Sequence, residues 1–458
     1  MEELKLFLIT DTHFFESSLG AYGEEYEKFM DYEQKCFAET ESINKAVFRY
    51  LEESKEADII LIAGDLSFNG EKESHKSFSR LLSDFKEKSG KKLFVVTAAH
   101  DIEDGSFAFD NSGKHNVEST SFSELYDFYR DFGYDEASEF NKEHMSYVAD
   151  LSDDVRLLAL CNDTASGSKL EYSDEFLEWI ENQAKKAKAD GKMMLAMEHY
   201  PVLPGQPLLA LIGDARQKGS KKLVETLADN GVHLIFTGHM HNQSINVTET
   251  EKGNKFYDVC TGSVIGFPAF IRLVTVKDKE TVEIKSIPVP EFDYDKKGLS
   301  GEVYLKNQFE RMIKTYVFSM ADDPERFLKK FGAKGNKALN KAVSFVGKSI
   351  RKMKIGTVGK LLFIRVPEEI KNESFLEFAI DIVRFLFEGN QPFKEGTPKG
   401  DVLLKLFKRI SFFVKSVKGS QGEDLDLFET LKHTVGNYGI DDYNAELKLK
   451  LQMKGRYI

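Results

Sequence analysis

A layered α/β fold followed by a helical region is predicted by three features of the 458-residue chain. Short apolar runs of strand length recur through the first 290 or so residues. Longer stretches with helical spacing of apolar residues lie between them, and strand–helix alternation of this kind argues stacked α and β layers. From about residue 291 onward the strand-like runs give way to one helical pattern after another.

The strand-like runs are LKLFLIT (4–10), DIILIAG (58–64), KLFVVTA (92–98), VRLLALC (155–161), MMLAMEH (193–199) and HLIFTG (233–238). Each has the length of a buried strand. Between them, ESINKAVFRYLEES (41–54) places Ile43, Val47 and Leu51 on one helix face. SHKSFSRLLSDFKEKSG (74–90) stops on Gly90, and SDEFLEWIENQAKKAKADG (173–191) opens on the cap Ser173 and stops on Gly191. The later runs SINVTET (244–250), KFYDVCTGS (255–263) and FIRLVTVKDKETVEIKSIPV (270–289) follow one another without helices. They are expected to form a second sheet or the far half of a sandwich. EFDYDKKGLSG (291–301) is a polar joint, and five helical patterns between residues 302 and 419 follow it. The expected organisation is one domain over residues 1–290 and a separate helical domain over 291–458.

Bulk properties narrow the function. The net charge of −12 argues against a general nucleic-acid binder. Three widely spaced cysteines, Cys36, Cys161 and Cys260, form no CxxC pair and no disulfide framework. No apolar run reaches the ~18 residues of a membrane span. The first residues read as a strand rather than as a signal peptide, so a cytoplasmic location is expected.

The ends of the apolar runs carry the chemistry. LFLIT leads to Asp11-Thr12-His13, IILIAG to Asp65, LFVVTAA to His100-Asp101, MLAME to His199, and LIFTG to His239-Met240-His241. In α/β sheets the functional crevice lies beyond the carboxyl ends of the strands, so the five loops are expected to converge. Imidazole with carboxylate and no thiolate suits Mn, Fe or Zn. The donors exceed the needs of one ion. Paired ions sharing a carboxylate are a standard device for phosphoester hydrolysis, because they yield hydroxide at neutral pH and neutralise phosphate charge. His75, His115, His144, His233 and His433 match no such pattern and read as structural. The basic loop RQKGSKK (216–222) and the lysine-bearing helix KLFKRISFFVKSVKG (405–419) read as a solvated loop and a bundle helix.

The ordered set DTH (11–13), GDL (64–66), HD (100–101), EHYP (198–201) and GHMH (238–241) resembles the calcineurin-like metallophosphoesterase family over roughly residues 4 to 275. Each motif alone is common; five in order at strand ends are specific. CTGSVIGFPAFIRLV (260–274) is similar to the strand pair closing the second sheet in bacterial class III cyclic-nucleotide phosphodiesterase relatives. The resemblance implies a four-layer α/β/β/α sandwich and two divalent metal ions. By motif, Asp11, His13 and His241 would hold the first ion. Asp65 would bridge, and His199 and His239 would belong to the second. His100 would act as general acid or as donor to the developing charge, with Asp101 orienting its ring. The implied substrate is a small phosphodiester or nucleotide, with a phosphomonoester as the alternative.

One position departs from the family pattern. Where Gly-Asn-His-Asp or Gly-Asn-His-Glu is usual, this chain has Ala98-Ala99-His100-Asp101. Ala99 offers no donor to the second ion, which is left with Asp65, His199 and His239. Asn162-Asp163, after another strand-like run, is a candidate substitute, although Asn-Asp after a strand is commonly just a turn. The departure also leaves open a non-catalytic metal-binding relative, with the helical region as its interaction surface.

Overall fold

The computed structural model describes residues 1–458 except 103–104, 164–171, 212–217, 331–333, 391–392, 394, 413–415, 420–421, 423, 436–439 and 451–458. Arg216 and Gln217 of the basic loop therefore lie outside the described residues. In chain order the strands are β1 (Leu4–Ile9), β2 (Ile59–Ala63), β3 (Lys92–Val96), β4 (Phe107–Asp110), β5 (Gly113–Asn116), β6 (Glu139–Asn141), β7 (Ser146–Asp150), β8 (Val155–Ala159), β9 (Met193–Met197), β10 (Leu234–Thr237), β11 (Ser244–Glu249), β12 (Lys255–Cys260), β13 (Phe270–Asp278), β14 (Thr281–Pro288), β15 (Ser416–Lys418), β16 (Asp424–Asp426) and β17 (Asn444–Lys448). The helices are α1 (Glu24–Met30), α2 (Thr40–Glu53), α3 (Lys72–Ser89), α4 (Phe122–Tyr129), α5 (Asp174–Ala189), α6 (Ser220–Asp229), α7 (Gly301–Asp322), α8 (Pro324–Lys330), α9 (Lys337–Lys352), α10 (Ile355–Leu361), α11 (Phe375–Glu388), α12 (Pro398–Ser411) and α13 (Leu427–Val435).

Two sheets face each other, ordered β17-β14-β13-β1-β2-β3 and β11-β12-β10-β9-β8-β7-β6. The alternation of side chains along the second sheet shows why it is buried on both faces. Leu157, Ala159, Leu195, Met197, Phe236 and Val259 point into the core shared with the first sheet. Their neighbours Leu158, Leu160, Met194, Ala196 and Ile235 point the other way, onto Phe176 and Ile180 of α5 and Leu223 and Leu227 of α6. On the first sheet, Ile43, Val47 and Leu51 of α2 are fully buried, as their spacing predicts, together with Phe78 and Leu82 of α3. The result is the expected α/β/β/α sandwich. Among the described residues, no helix is long and apolar enough to cross a membrane.

The strands from 244 to 289 do not form a second sheet of their own. β11 and β12 extend the sheet that contains β10, whereas β13 and β14 return to the other sheet, where β13 runs antiparallel to β1. Arg272 of β13 stitches the two together. It is fully buried and donates to Cys260 O (2.8 Å), Asp442 O (2.6 Å), Ser286 Oγ (3.1 Å) and Thr261 Oγ1 (3.3 Å).

Beyond residue 290 the chain is largely helical, with a core of its own that includes Ile355, Phe378, Phe385, Val402, Leu406 and Leu431. It also crosses back over the expected boundary. Leu305, Phe309 and Ile313 of α7 join the main core, and β17 adds an edge strand to β14 with Leu447 buried. The helix expected to run through 419 ends at Ser411; Ser416–Lys418 instead pairs with Asp424–Asp426.

Candidate active site

The ligand loops sit at the carboxyl ends of β1, β2 and β3 in one sheet and of β9 and β10 in the other. The parallel pairing of β1 with β2 continues past the strands. Asp11 N donates to Gly64 O (3.0 Å), His13 N to Asp65 O (2.9 Å) and Phe14 N to Leu66 O (2.8 Å). This ladder sets the DTH and GDL segments side by side. Five of the six candidate ligands, Asp11, His13, Asp65, His239 and His241, have φ between 37° and 67°. Left-handed backbone is uncommon for residues with a Cβ, and such strain persists only where surrounding bonds over-determine it. Here they do: Thr10 Oγ1 donates to Asp11 Oδ2 (2.7 Å) and Ala63 O (2.9 Å), and Ser263 Oγ donates to Asp11 O (2.8 Å). Gly64 and Gly238 leave room for the ligands. A Cβ on Gly64 would lie 2.7 Å from the His199 ring, and one on Gly238 would lie 2.4 Å from Asp11 Oδ2.

The six side chains form two clusters, Asp11 with His13 and His241, and Asp65 with His199 and His239; within each, the donor atoms lie inside 4.8 Å of one another. Asp65 links the clusters, with Oδ2 3.0 Å from His199 Nε2 and 3.6 Å from His13 Nε2. His199 Nδ1 donates to Ala63 O (2.8 Å), which turns Nε2 toward Asp65. His13 Nδ1 likewise meets Ser67 O (3.3 Å), and its Nε2 lies 3.1 Å from His241 Nε2. Ring nitrogens and carboxylate oxygens converge here at two places, each with three donor atoms close enough to face one ion. The donor set therefore fits two divalent ions.

Electrostatics agree with this geometry. Burial disfavours the charged form of Asp11, but His241 and His199 outweigh it and hold the carboxyl well below its usual value. Burial likewise opposes ionisation of Asp65, and His199 and His100 reverse the effect. His199 is pushed up to about 10: burial acts against its charge, and Asp65 and Asp11 overcome it. His13 falls to about 4, through burial and the nearby Lys35 ammonium. The buried carboxylates thus form a cation-binding centre.

The AAHD turn lies against this centre. His100 is half-buried, its ring centroid is 5.1 Å from that of His13, and its backbone N donates to Asp65 Oδ1 (3.3 Å). Burial, then Lys35, keeps the His100 imidazole neutral at neutral pH. Asp101 does not do what the sequence suggests. Its two carboxylate oxygens accept from the backbone amides of Ser67 (2.8 Å) and Ala98 (2.9 Å), and its carbonyl accepts from His75 Nε2 (2.9 Å). A carboxylate pinned by two amides fixes the turn that carries His100 and is not directed to the imidazole ring.

Three further residues adjoin the centre: Asp163, expected as a candidate substitute for the missing asparagine, and Tyr200 and Lys35, to which the sequence assigns no role. Lys35 is buried with its ammonium 4.4 Å above the Phe68 ring, and that ring is 6.0 Å from His13. Tyr200 packs its ring 4.7 Å from His239 and 5.1 Å from His199, with its hydroxyl 3.5 Å from Asp163 Oδ1. Asp163 is buried, its Oδ2 has no hydrogen-bond partner, and burial pushes its carboxyl up to about 7. The EHYP motif names Tyr200. Nothing in the sequence signals Lys35, which reaches the site only because the segment after α1 folds under Phe68.

The C-terminal region braces two of the ligand loops. Phe387 O accepts from Gln243 N (2.7 Å), Asp442 Oδ1 from Ile245 N (2.9 Å), and Thr434 Oγ1 from Leu208 N (3.1 Å).

No curated protein matches the chain. Solved structures that resemble it include a dimetal phosphatase from Danio rerio, 11% identical over 63% of this chain and 96% of that one, with a TM-score of 0.44. Purple acid phosphatase PPD1 from yellow lupin (Lupinus luteus) seeds is 13% identical over 64% of this chain and 53% of that one, at a TM-score of 0.40. The NAD nucleotidase NadN of Haemophilus influenzae is 13% identical over 77% and 62%, at 0.33. Residues 4–243 match the calcineurin-like phosphoesterase family. That span is more than half of the chain and contains every candidate ligand. The chain belongs to the calcineurin-like phosphoesterase family, whose members are metal-dependent hydrolases of phosphate esters.

Proposed function

We propose that the protein hydrolyses a small phosphodiester, cyclic nucleotides included, with two divalent ions held by Asp11, His13 and His241 and by Asp65, His199 and His239. The observation that carries this reading is the pair of buried clusters joined through Asp65 Oδ2. Ions held by these residues would supply a water of lowered pKa and offset phosphate charge. The remaining work falls to the chain itself. His100, neutral and anchored through its backbone to Asp65, donates a hydrogen bond to the phosphate or leaving oxygen. Asp101 holds the turn that positions it. Lys35 adds positive charge beside His13 and His100, where an anionic substrate binds. Tyr200, packed on His199 and His239, and Asp163, within reach of its hydroxyl, would take the place of the missing asparagine beside the second cluster. Residues 1–290 carry all of these groups, and residues 291–458 serve as their brace.

Ala99 favours a second reading, a metal-binding scaffold without turnover. Hydrolysis of bis-p-nitrophenyl phosphate in Mn²⁺, with and without chelator, separates the two. The expected result is metal-dependent turnover that exceeds turnover of the corresponding monoester and is lost in Asp65→Asn. Folded, metal-loaded protein that turns over neither ester establishes the scaffold. Faster monoester hydrolysis moves the assignment to a phosphomonoesterase.

A further inference from the structure

The C-terminal region carries an exposed face that neither the site nor the core uses. Phe363 is 86% exposed and Phe412 85%. Together with Leu361 they line a groove of ≈ 910 Å³ whose other walls include Arg365, Lys405, Lys408 and Arg409. Among the described residues no acidic side chain lines it, in a chain whose net charge is −12. The arrangement is built rather than frayed. Lys405, Lys408 and Arg409 follow the i, i+3, i+4 spacing of one face of α12, with Phe412 in the turn just past its end, while Val402, Leu403 and Leu406 on the other side of the helix are buried in the C-terminal core. Phe363 sits at φ +54° in the turn that ends α10. Ile364 N donates to Gly359 O (2.7 Å) and Arg409 Nη2 to Phe363 O (3.4 Å), which ties the turn to α12. A left-handed phenylalanine is strained, and here the strain serves to place an aromatic ring in solvent.

We infer that this face docks on an anionic lipid bilayer surface. Exposed phenylalanines flanked by lysine and arginine are the chemistry of the headgroup interface, where rings enter the acyl boundary and cations meet anionic lipids. A protein partner fits less well, because protein interfaces are depleted of lysine at their centres. A second copy docked by two-fold symmetry would set the same four cations against each other. Among the described residues no helix is long and apolar enough to cross a membrane, and docking through this surface groove is peripheral.

The test is co-sedimentation of the full chain with vesicles of phosphatidylcholine alone or with roughly a third phosphatidylglycerol, at about 0.1 M salt. Binding to the anionic vesicles is expected to exceed binding to the neutral ones by at least about tenfold and to fall as salt rises. Lys405→Glu with Lys408→Glu is expected to remove the anionic preference, and Phe363→Ser with Phe412→Ser to weaken binding. Thermal melting and turnover of a soluble ester should stay unchanged in both double variants, because these side chains lie outside the site. No anionic preference in the parent protein overturns the inference. So does a dimer, seen by analytical ultracentrifugation, that the same variants dissociate.

Discussion

Gly238→Ala probes the link between backbone packing and metal binding. Gly238 lies two residues after the end of the β10 run's last apolar residue and begins the GHMH segment. A Cβ there would lie 2.0 Å from Thr10 Oγ1 and 2.4 Å from Asp11 Oδ2, where ordinary contacts begin near 3.4 Å. The backbone has little freedom to retreat: Gly238 N donates to His199 O (2.8 Å), and its carbonyl accepts from Met240 N (2.7 Å) and Cys260 Sγ (3.3 Å). Thr10 and Asp11 must therefore yield by about 1 Å, a displacement that in a catalytic centre costs on the order of 100-fold in rate. The hydroxyl bonds of Thr10 to Asp11 (2.7 Å) and Ala63 (2.9 Å) break with that movement. Overpacking of this kind destabilises by about 1–3 kcal/mol. The assay is metal content by mass spectrometry after stripping and reloading, with kcat/KM and the melting temperature measured on the same samples. Gly253→Ala is the control. Its φ is +81° with nothing within 4 Å, so it should lose about 1 kcal/mol of stability and no metal. Full metal occupancy at the parent rate in Gly238→Ala would refute the reasoning.

Three further outcomes follow from the same structure. His75 is buried, bonded to Tyr129 Oη (2.7 Å) and Asp101 O (2.9 Å), and burial lowers it to about 4 from 6.5. The unfolded chain binds this proton more readily, so the contribution is complete above pH 6.5 and is lost as pH falls toward 4. At about 1.4 kcal/mol per unit, the parent should lose about 2 kcal/mol more than His75→Gln between pH 6.5 and 5, measured by urea unfolding in chelator. Arg272→Leu removes the guanidinium that donates to the buried carbonyls of Cys260 and Asp442 and should cost about 1–3 kcal/mol for each by the same method. Lys35→Met should raise KM for an anionic ester about tenfold with metal content unchanged, since a buried charge beside the site is worth roughly 1.4 kcal/mol or more to an anion; loss of metal instead would make Lys35 structural.

Strands β1–β3 and β8–β14, helices α2, α3 and α5 and the six clustered donors were legible in the sequence because each rests on short-range information. Strand and helix periodicity is written within ten to fifteen residues, and a histidine or aspartate after an apolar run needs only that run to be placed at a strand end. The chemical identity of the candidate ligands therefore comes from the amino-acid order alone. What the tertiary structure decided is long-range pairing. That β13 and β14 leave β12 for the opposite sheet depends on hydrogen bonding to β1, some 265 residues earlier, for which no local pattern exists. That β17 closes the edge of the same sheet depends on Val282 meeting Leu447 and Ile284 meeting Ala445 across a ladder. Asp101 shows the same division at the site. Its position beside His100 suggests a partner for the ring, but a carboxylate goes where unpaired donors are, and the folding of the GDL loop leaves the Ser67 and Ala98 amides facing it. Lys35 reaches the centre by chain folding, without any motif, whereas Asp163 follows an apolar run as the other site residues do. The sequence determined which atoms can bind cations; the packing of two sheets decided which of them meet, because proximity between distant segments is set by the sum of many burial contacts rather than by any one stretch.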